Sequence, residues 1–278
     1  MNTPYTPPVD QLLKLGRPER PWLDYASMGL SRADVPELIR LMKDDELRFM
    51  EAPVSWPDDE DLPEWYAGVH AWRALAQLKA EEAIPDILDI FYQIDEEDND
   101  WLDGDTKEIF EQIGPAAIQP LGAYLLDRKH GIYARGCASD ALASIATRYP
   151  DKREECASLI ARALENYKKQ DEGFNAFLIW DLAELKAVEH IDLIEKAFAG
   201  DYVDEMVAGD CEDIKVELGL LSERITPARK YDFFKHMFRD DDAPLLPITI
   251  IPKKQESVKK EKSKRKQEKK SRKKNRMK

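Results

Sequence analysis

Cysteine is scarce in this sequence: Cys137, Cys156 and Cys211 are an odd, widely spaced set. They make no disulfide framework, and a reducing, cytoplasmic setting is expected. No apolar run approaches the length of a bilayer-crossing helix, so no membrane span is expected. Met1 to Asp10 lacks a basic segment followed by an apolar one, so no signal peptide is expected either. His70, His130, His190 and His236 lie far from zinc-ligand spacing, and neither HExxH nor CxxC occurs. GxSxG, GxGxxG and Walker loops are missing, which leaves nucleotide hydrolysis and dinucleotide redox chemistry without a phosphate cradle. Strand alternation with hairpin chemistry is also missing. No catalytic residue, metal or cofactor is expected.

Charge is abundant, and it is divided. The chain holds 42 Lys+Arg against 55 Asp+Glu. From Lys253 onward there are 15 Lys+Arg and 3 Glu, so 27 basic and 52 acidic residues remain before it. A strongly acidic body thus carries a basic tail. Val258 and Met277 are the tail's apolar residues, too few to offset chain entropy, so it is expected to be disordered when free. PLLPITIIP, 244–252, separates the two with three prolines and reads as extended.

The body repeats itself. LAQLKAEEAIPDILDIF (75–91) and LAELKAVEHIDLIEKAF (182–198) agree at nine of seventeen positions at an offset of 107. The identities are Leu75/Leu182, Ala76/Ala183, Leu78/Leu185, Lys79/Lys186, Ala80/Ala187, Glu82/Glu189, Ile84/Ile191, Ile87/Ile194 and Phe91/Phe198. Their apolar members recur at helical steps. IFEQIGPAAIQPL (109–121) and ALASIATRY (141–149) are weaker copies. Aligning Leu78, Ile113, Ile145 and Leu185 gives spacings of 35, 32 and 40, a period of about 36 residues built from helix pairs, the signature of an α-solenoid. Pro36, Pro85 and Pro120 fit first helical turns, and Gly114-Pro115 fits a stop.

Helices are expected at 9–15, 33–50, 64–79, 83–94, 105–113, 116–126, 133–149, 151–169, 173–185, 188–199, 210–221 and 227–238. The expected fold is all-α: an irregular helical cap over 1–63, a HEAT-like solenoid over 64–243, and a linker with a disordered Lys/Arg-rich tail over 244–278.

ALAQLKAEEAIPDIL and IGPAAIQPL resemble the HEAT-like repeats first noted in phycobilisome lyases. The resemblance covers roughly residues 64–200 and implies a right-handed superhelix of helix pairs. YTPPVDQLL and GDCEDIKVELGL resemble a set of uncharacterised bacterial HEAT-like proteins, some of which end in a zinc-binding SEC-C motif. This chain departs there, with neither Cys nor His after Pro252. The resemblance implies, as an alternative function, a bilin lyase-like enzyme or a chaperone. No bilin-contact residue carries over.

Two acidic clusters stand out. DEEDNDWLDGD, 95–105, reads as a solvated loop between helices or as a cation site, since hard cations take several carboxylate oxygens. Asp98 and Asp100 fit the EF-hand spacing, but Leu102 takes the next ligand position and Asp103 falls one step late. GDCEDIKVELGL carries Asp210, Glu212 and Asp213, which read as helix capping, and paired carboxylates are also capable of acid/base work. Trp56 and Trp101, beside acidic residues, are candidate anchors for a partner.

The expected function is a non-catalytic scaffold or adaptor whose acidic face takes a protein with a basic patch. The tail residues Lys259, Lys260, Lys264, Arg265, Lys266, Lys269, Lys270, Arg272, Lys273 and Lys274 are expected to meet an anionic partner. RNA or the ribosome, an acidic protein surface including the chain's own body, an anionic membrane surface and a purely solubilising role all fit this composition.

Overall fold

Local sequence sets where each helix begins. The computed structural model describes residues 5–57 and 60–227, and these all fall in one packed unit, Met1–Arg229. Three short 3-10 turns, Val9–Lys14, Ala26–Met28 and Arg32–Asp34, open the chain. The α-helices that follow are α1 (Val35–Met42), α2 (Asp45–Arg48), α3 (Ala67–Gln77), α4 (Ile84–Asp89), α5 (Tyr92–Glu97), α6 (Asp100–Ile113) and α7 (Ile118–Leu126). They continue with α8 (Ile132–Arg148), α9 (Arg153–Leu164), α10 (Glu172–Glu184), α11 (Ile191–Ala199), α12 (Glu205–Ala208) and α13 (Cys211–Glu217). No strand occurs among the described residues.

Three expectations need correction. The span 33–50 is two helices, because Asp44 accepts the Glu46 and Leu47 N–H groups and starts α2. The span 83–94 is also two, α4 and α5, parted at Ile90–Phe91. The acidic segment 95–105 is not a loop. Asp98 turns left-handed at φ 49°, Asn99 caps the Leu102 N–H, and α6 starts at Asp100. Asp100 and Asp103 then sit in its first turn, where the helix dipole favours anions. The helix expected at 227–238 and the tail lie outside the described residues, apart from Pro227.

Two rows of helices form. α3, α6, α8 and α10 pack side by side in that order. α4, α7 and α9 form a second row, joined to the first where α7 and α9 meet α8 and where α9 meets α10. Contacts fix the direction of the first row. Trp72 and Arg73 on α3 meet Asp105 on α6; Asp103 and Lys107 meet Cys137 and Asp140 on α8; Ser139 meets Asp181 on α10. Later residues on one helix meet later residues on the next, so α6 and α8 run parallel. The contact offsets are 32–34 residues between α3, α6 and α8, and 42 between α8 and α10. This is the unequal spacing carried by the sequence repeat.

The repeat's apolar identities are core: Leu75, Ala76, Ala80 and Ile87, and their counterparts Leu182, Ala183, Ala187 and Ile194, are all buried. Its polar identities have a separate cause. Lys79 and Lys186 both turn left-handed after a helix end, at φ 51° and 52°. At each turn an arginine from elsewhere bonds the exposed carbonyls and the following glutamate. Arg32 reaches Leu78 O, Lys79 O and Glu82; Arg153 reaches Leu185 O, Lys186 O and Glu189. Gly114, aligned with these lysines, has φ 94°. The fourth aligned position differs, since α8 runs on past Ile145 to Arg148.

One buried ion pair ties the N-terminal segment to this array. Arg73 and Asp105 side chains are each 1% exposed and bond at 2.6 and 3.0 Å. Asp105 also accepts from Trp72 Nε1 at 2.9 Å and from Arg20 at 2.7 Å, while Arg73 donates to Glu19 O at 3.0 Å. Removing one partner strands a buried charge. Asp105→Ala is therefore expected to cost about 3–5 kcal/mol in urea unfolding and to expose the segment before α1 to protease. A loss comparable to a surface substitution would contradict this account.

Candidate functional site

Three helices of the first row each offer one face to a common groove. α6 contributes Asp100, Asp103 and Lys107; α8 contributes Tyr133, Gly136, Cys137 and Asp140; α10 contributes Phe177, Trp180 and Asp181. These are steps of three, four and seven residues, which share one side of a helix. The groove encloses about 590 Å³, and Ile94, Asp98, Asn99 and Val207 complete its lining. Its wall is five carboxyl groups, one ammonium and three aromatic rings.

The rings are open to solvent to unusual degrees for their size. Tyr133 is 57% exposed and Trp180 is 47% exposed. Tyr133 and Phe177 lie 6.4 Å apart at 48°. Gly136 makes the close approach of α10 possible, since a Cβ there would sit 3.2 Å from the Phe177 ring. The mouth of the groove is braced by Asp95, whose two oxygens accept the Tyr133 and Ala134 N–H groups and cap α8. Gly131 leaves room for that carboxylate; a Cβ at 131 would fall 2.0 Å from Asp95 Cγ.

The floor is electrostatically loaded. Asp181 is 3% exposed, and burial, with Asp140 beside it, pushes its carboxyl well above the usual range. Ser139 Oγ donates to it. Lys107 bonds Asp140 at 2.8 Å; desolvation, the largest single influence, works to lower its pKa, but that bond together with the charges of Asp140, Glu184 and Asp181 outweighs it and holds the ammonium above its usual value. Burial also raises Asp100, helped by Asp103 and Asp98. The Cys137 thiol, raised by burial, donates to Asp103 at 2.9 Å, so it is far from a reactive thiolate. Asp140, Asp181 and Glu184 bring one oxygen each within 4.8 Å of one another, the arrangement a hard cation uses. Lys107 already bonds Asp140 and Ser139 already bonds Asp181, so two of the three carboxyls have partners within the chain.

The residues singled out from sequence divide into three groups. Asp98, Asp100 and Asp103 line the groove, though on a helix and its cap and not on an EF-hand-like loop. Trp56 and Trp101 do not. Trp56 donates to Glu60 O, and Trp101 packs on the core against Tyr66 with Arg73 over its ring. Asp210, Glu212 and Asp213 also lie away from it. Asp210 and Asp213 cap α13 as a capping box, all three pair with Arg224, and those bonds hold Asp210 down to about 2. The tail lysines and arginines lie outside the described residues. Lys107, Tyr133, Asp140, Phe177, Trp180 and Asp181 are groove residues that sequence reasoning passed over. Their signal was polar and aromatic residues recurring at one helical face, at matched positions in successive repeats.

Residues 33–242 match the family described as a protein of unknown function, DUF1186, and the chain belongs to that family. No curated protein and no solved structure matches it. Among the described residues no helix is long and apolar enough to cross a membrane.

The Asp181 environment has a measurable consequence. A carboxyl whose folded pKa lies above its unfolded value binds its proton more tightly in the native state. Its stabilising contribution is complete below the unfolded pKa, near 3.8, and is lost as pH rises through the raised folded value. The groups facing it are Asp140, Ser139 and Lys107. Asp181→Asn keeps an acceptor for Ser139 and removes the charge. Its melting temperature is expected to match the wild type near pH ~4 and to exceed it increasingly toward pH ~8. Parallel melting curves across that range would refute the assignment.

Proposed function

We propose that this chain is a non-catalytic binding module, a HEAT-like α-solenoid whose acidic, aromatic groove holds a protein bearing a basic patch. One observation carries the reading: matched faces of three successive helices converge carboxylates and exposed rings on a single groove. The parallel first row and the repeated turn clamp support the solenoid description. Catalysis finds little support in the same residues. Cys137 is bonded to Asp103, Asp140 to Lys107 and Asp181 to Ser139, which leaves no activated nucleophile. Exposed aromatics ringed by carboxylates suit a partner that is apolar at its centre and cationic at its rim.

Fluorescence anisotropy with a labelled Lys/Arg-rich peptide tests this. The double variant Asp100→Lys, Asp103→Lys is expected to weaken binding by more than about tenfold. Asp192→Lys with Glu154→Lys, exposed and outside the groove, controls for net charge. Equal weakening by both pairs would reduce the effect to the general field of the body and sink the groove reading.

The Lys/Arg-rich tail favours a second contact, with RNA or the ribosome. Replacing Lys264, Arg265 and Lys266 by Gln is expected to flatten the salt dependence of RNA retention by about 2–3 units of slope. An unchanged slope would argue against the tail.

A further inference from the structure

The groove's rings and carboxylates have a counterpart elsewhere in the same chain. Arg73 lies over Trp22 at 5.0 Å and over Trp101 at 5.7 Å while it forks onto Asp105. Arg48 lies over Phe49 at 4.3 Å and bonds Glu97 at 2.6 Å. Arg40 lies over Tyr5 at 4.0 Å and bonds Glu37 at 3.1 Å. In each case a guanidinium face meets a ring and its edge meets a carboxylate. A lysine does this poorly, because its ammonium is compact, strongly hydrated and without a flat face. The groove displays the same two components, Tyr133, Phe177 and Trp180 for a face and Asp100 and Asp103 for an edge, and no arginine is among its lining residues.

The dimensions agree. Tyr133 and Asp140 are two turns apart on α8, about 10 Å along its axis. Lys107 is bound to Asp140, so positive charge at that end of the groove is already supplied by the chain, while Asp100 and Asp103 near the start of α6 are exposed. A side chain entering from solvent therefore meets exposed rings beside the exposed carboxylates of Asp100 and Asp103. It needs reach, a planar cationic head and weak hydration, which together describe arginine.

We propose that the groove is selective for arginine over lysine, and that its occupant is an extended, arginine-bearing segment of a partner protein whose guanidinium stacks on Trp180 and Tyr133 and forks onto Asp100 or Asp103. This rests on reading the groove as the partner-binding surface. The selectivity comes from the rings and the affinity from the carboxylates. Both contributions are larger inside a groove than on a flat surface, because the guanidinium sheds water as it enters.

The test uses the full chain and two synthetic peptides of equal length and charge, one alternating serine with arginine and one alternating serine with lysine. Titration followed by tryptophan fluorescence and by calorimetry is expected to give the arginine peptide about tenfold tighter binding. Trp180→Ala and Tyr133→Ala, both exposed positions, are expected to bring the two peptides within about twofold of each other with the fold intact by circular dichroism. Asp103→Asn is expected to weaken both. Equal affinity of the wild type for both peptides would overturn the arginine proposal and leave the basic-partner reading standing. Binding of neither peptide would overturn both. An arginine preference that survives Trp180→Ala and Tyr133→Ala would place recognition outside the groove and overturn the proposal as well.

Discussion

The pair Arg73–Asp105 is the constraint around which the N-terminal half is arranged. A buried charge pair does not stabilise by itself, because desolvation offsets the Coulomb gain unless the remaining donors and acceptors are filled. Here they are filled by parts distant in sequence. Trp72 and Arg20 add donors to Asp105, Glu19 O takes an Arg73 N–H, and the rings of Trp22 and Trp101 cover the guanidinium face. Each of these contacts requires α3, α6 and the irregular segment before α1 to be in one relative position. Apolar surfaces alone would let helices slide by a turn; a buried guanidinium bonded through all three of its nitrogens would not. The nearby bond of Tyr25 to His70, and of His70 to Gly16 O, fixes the same segment a second time, and burial lowers the histidine so that a neutral ring is favoured there.

Beyond that junction the chain uses arginine again, as a clamp on helix ends. Carbonyls at a helix C-terminus have no partner inside the helix. At Lys79 and Lys186 the chain turns left-handed at a non-glycine residue, a conformation that carries steric cost. Arg32 and Arg153 satisfy those carbonyls and brace the turns. The clamping arginines are not at equivalent positions of the repeat, yet they meet equivalent atoms. This accounts for the glutamate among the nine identities: Glu82 and Glu189 are the far side of each clamp, whereas the lysines offer it only their backbone carbonyls.

The all-helical character and the buried faces were legible in the sequence, because burial imposes a period that any reader of apolar spacing can see. Leu75, Ile87, Leu182 and Ile194 announce their faces. Breaks were less legible. Asp44 and Asn99 start helices by side-chain bonds, and an acid-rich stretch such as 95–105 looks like a loop until Asn99 is recognised as a cap. The groove was half legible. Asp98, Asp100 and Asp103 were visible as a cluster, but clustering along the chain also picked out Asp210, Glu212 and Asp213, which Arg224 neutralises from a segment that carries no local signal. Tyr133 is far in sequence from Phe177 and Trp180 and is brought to them by the packing of α8 on α10. Trp101 misled for the opposite reason: its acidic neighbours face the groove while its ring, one step round the helix, faces the core.

A wall of five carboxyl groups is not a passive feature. Each added anion raises the cost of ionising the next, and the fold meets that cost with Lys107 at Asp140, with a proton favoured on Asp181 and with the Cys137 thiol at Asp103. Toward solvent, Asp98, Asp100 and Asp103 are all exposed. An arriving cation lowers the pKa of every carboxyl it faces, so its binding and the release of protons from Asp100 and Asp181 are linked, and the linkage is reciprocal. If a cation binds there as proposed, its binding is weakest at low pH, when those carboxyls hold their protons, and strengthens as they ionise. Under the proposed reading, the mutual repulsion of these carboxyls is what a cationic partner relieves, while the desolvation of Asp181 stays a cost to the fold.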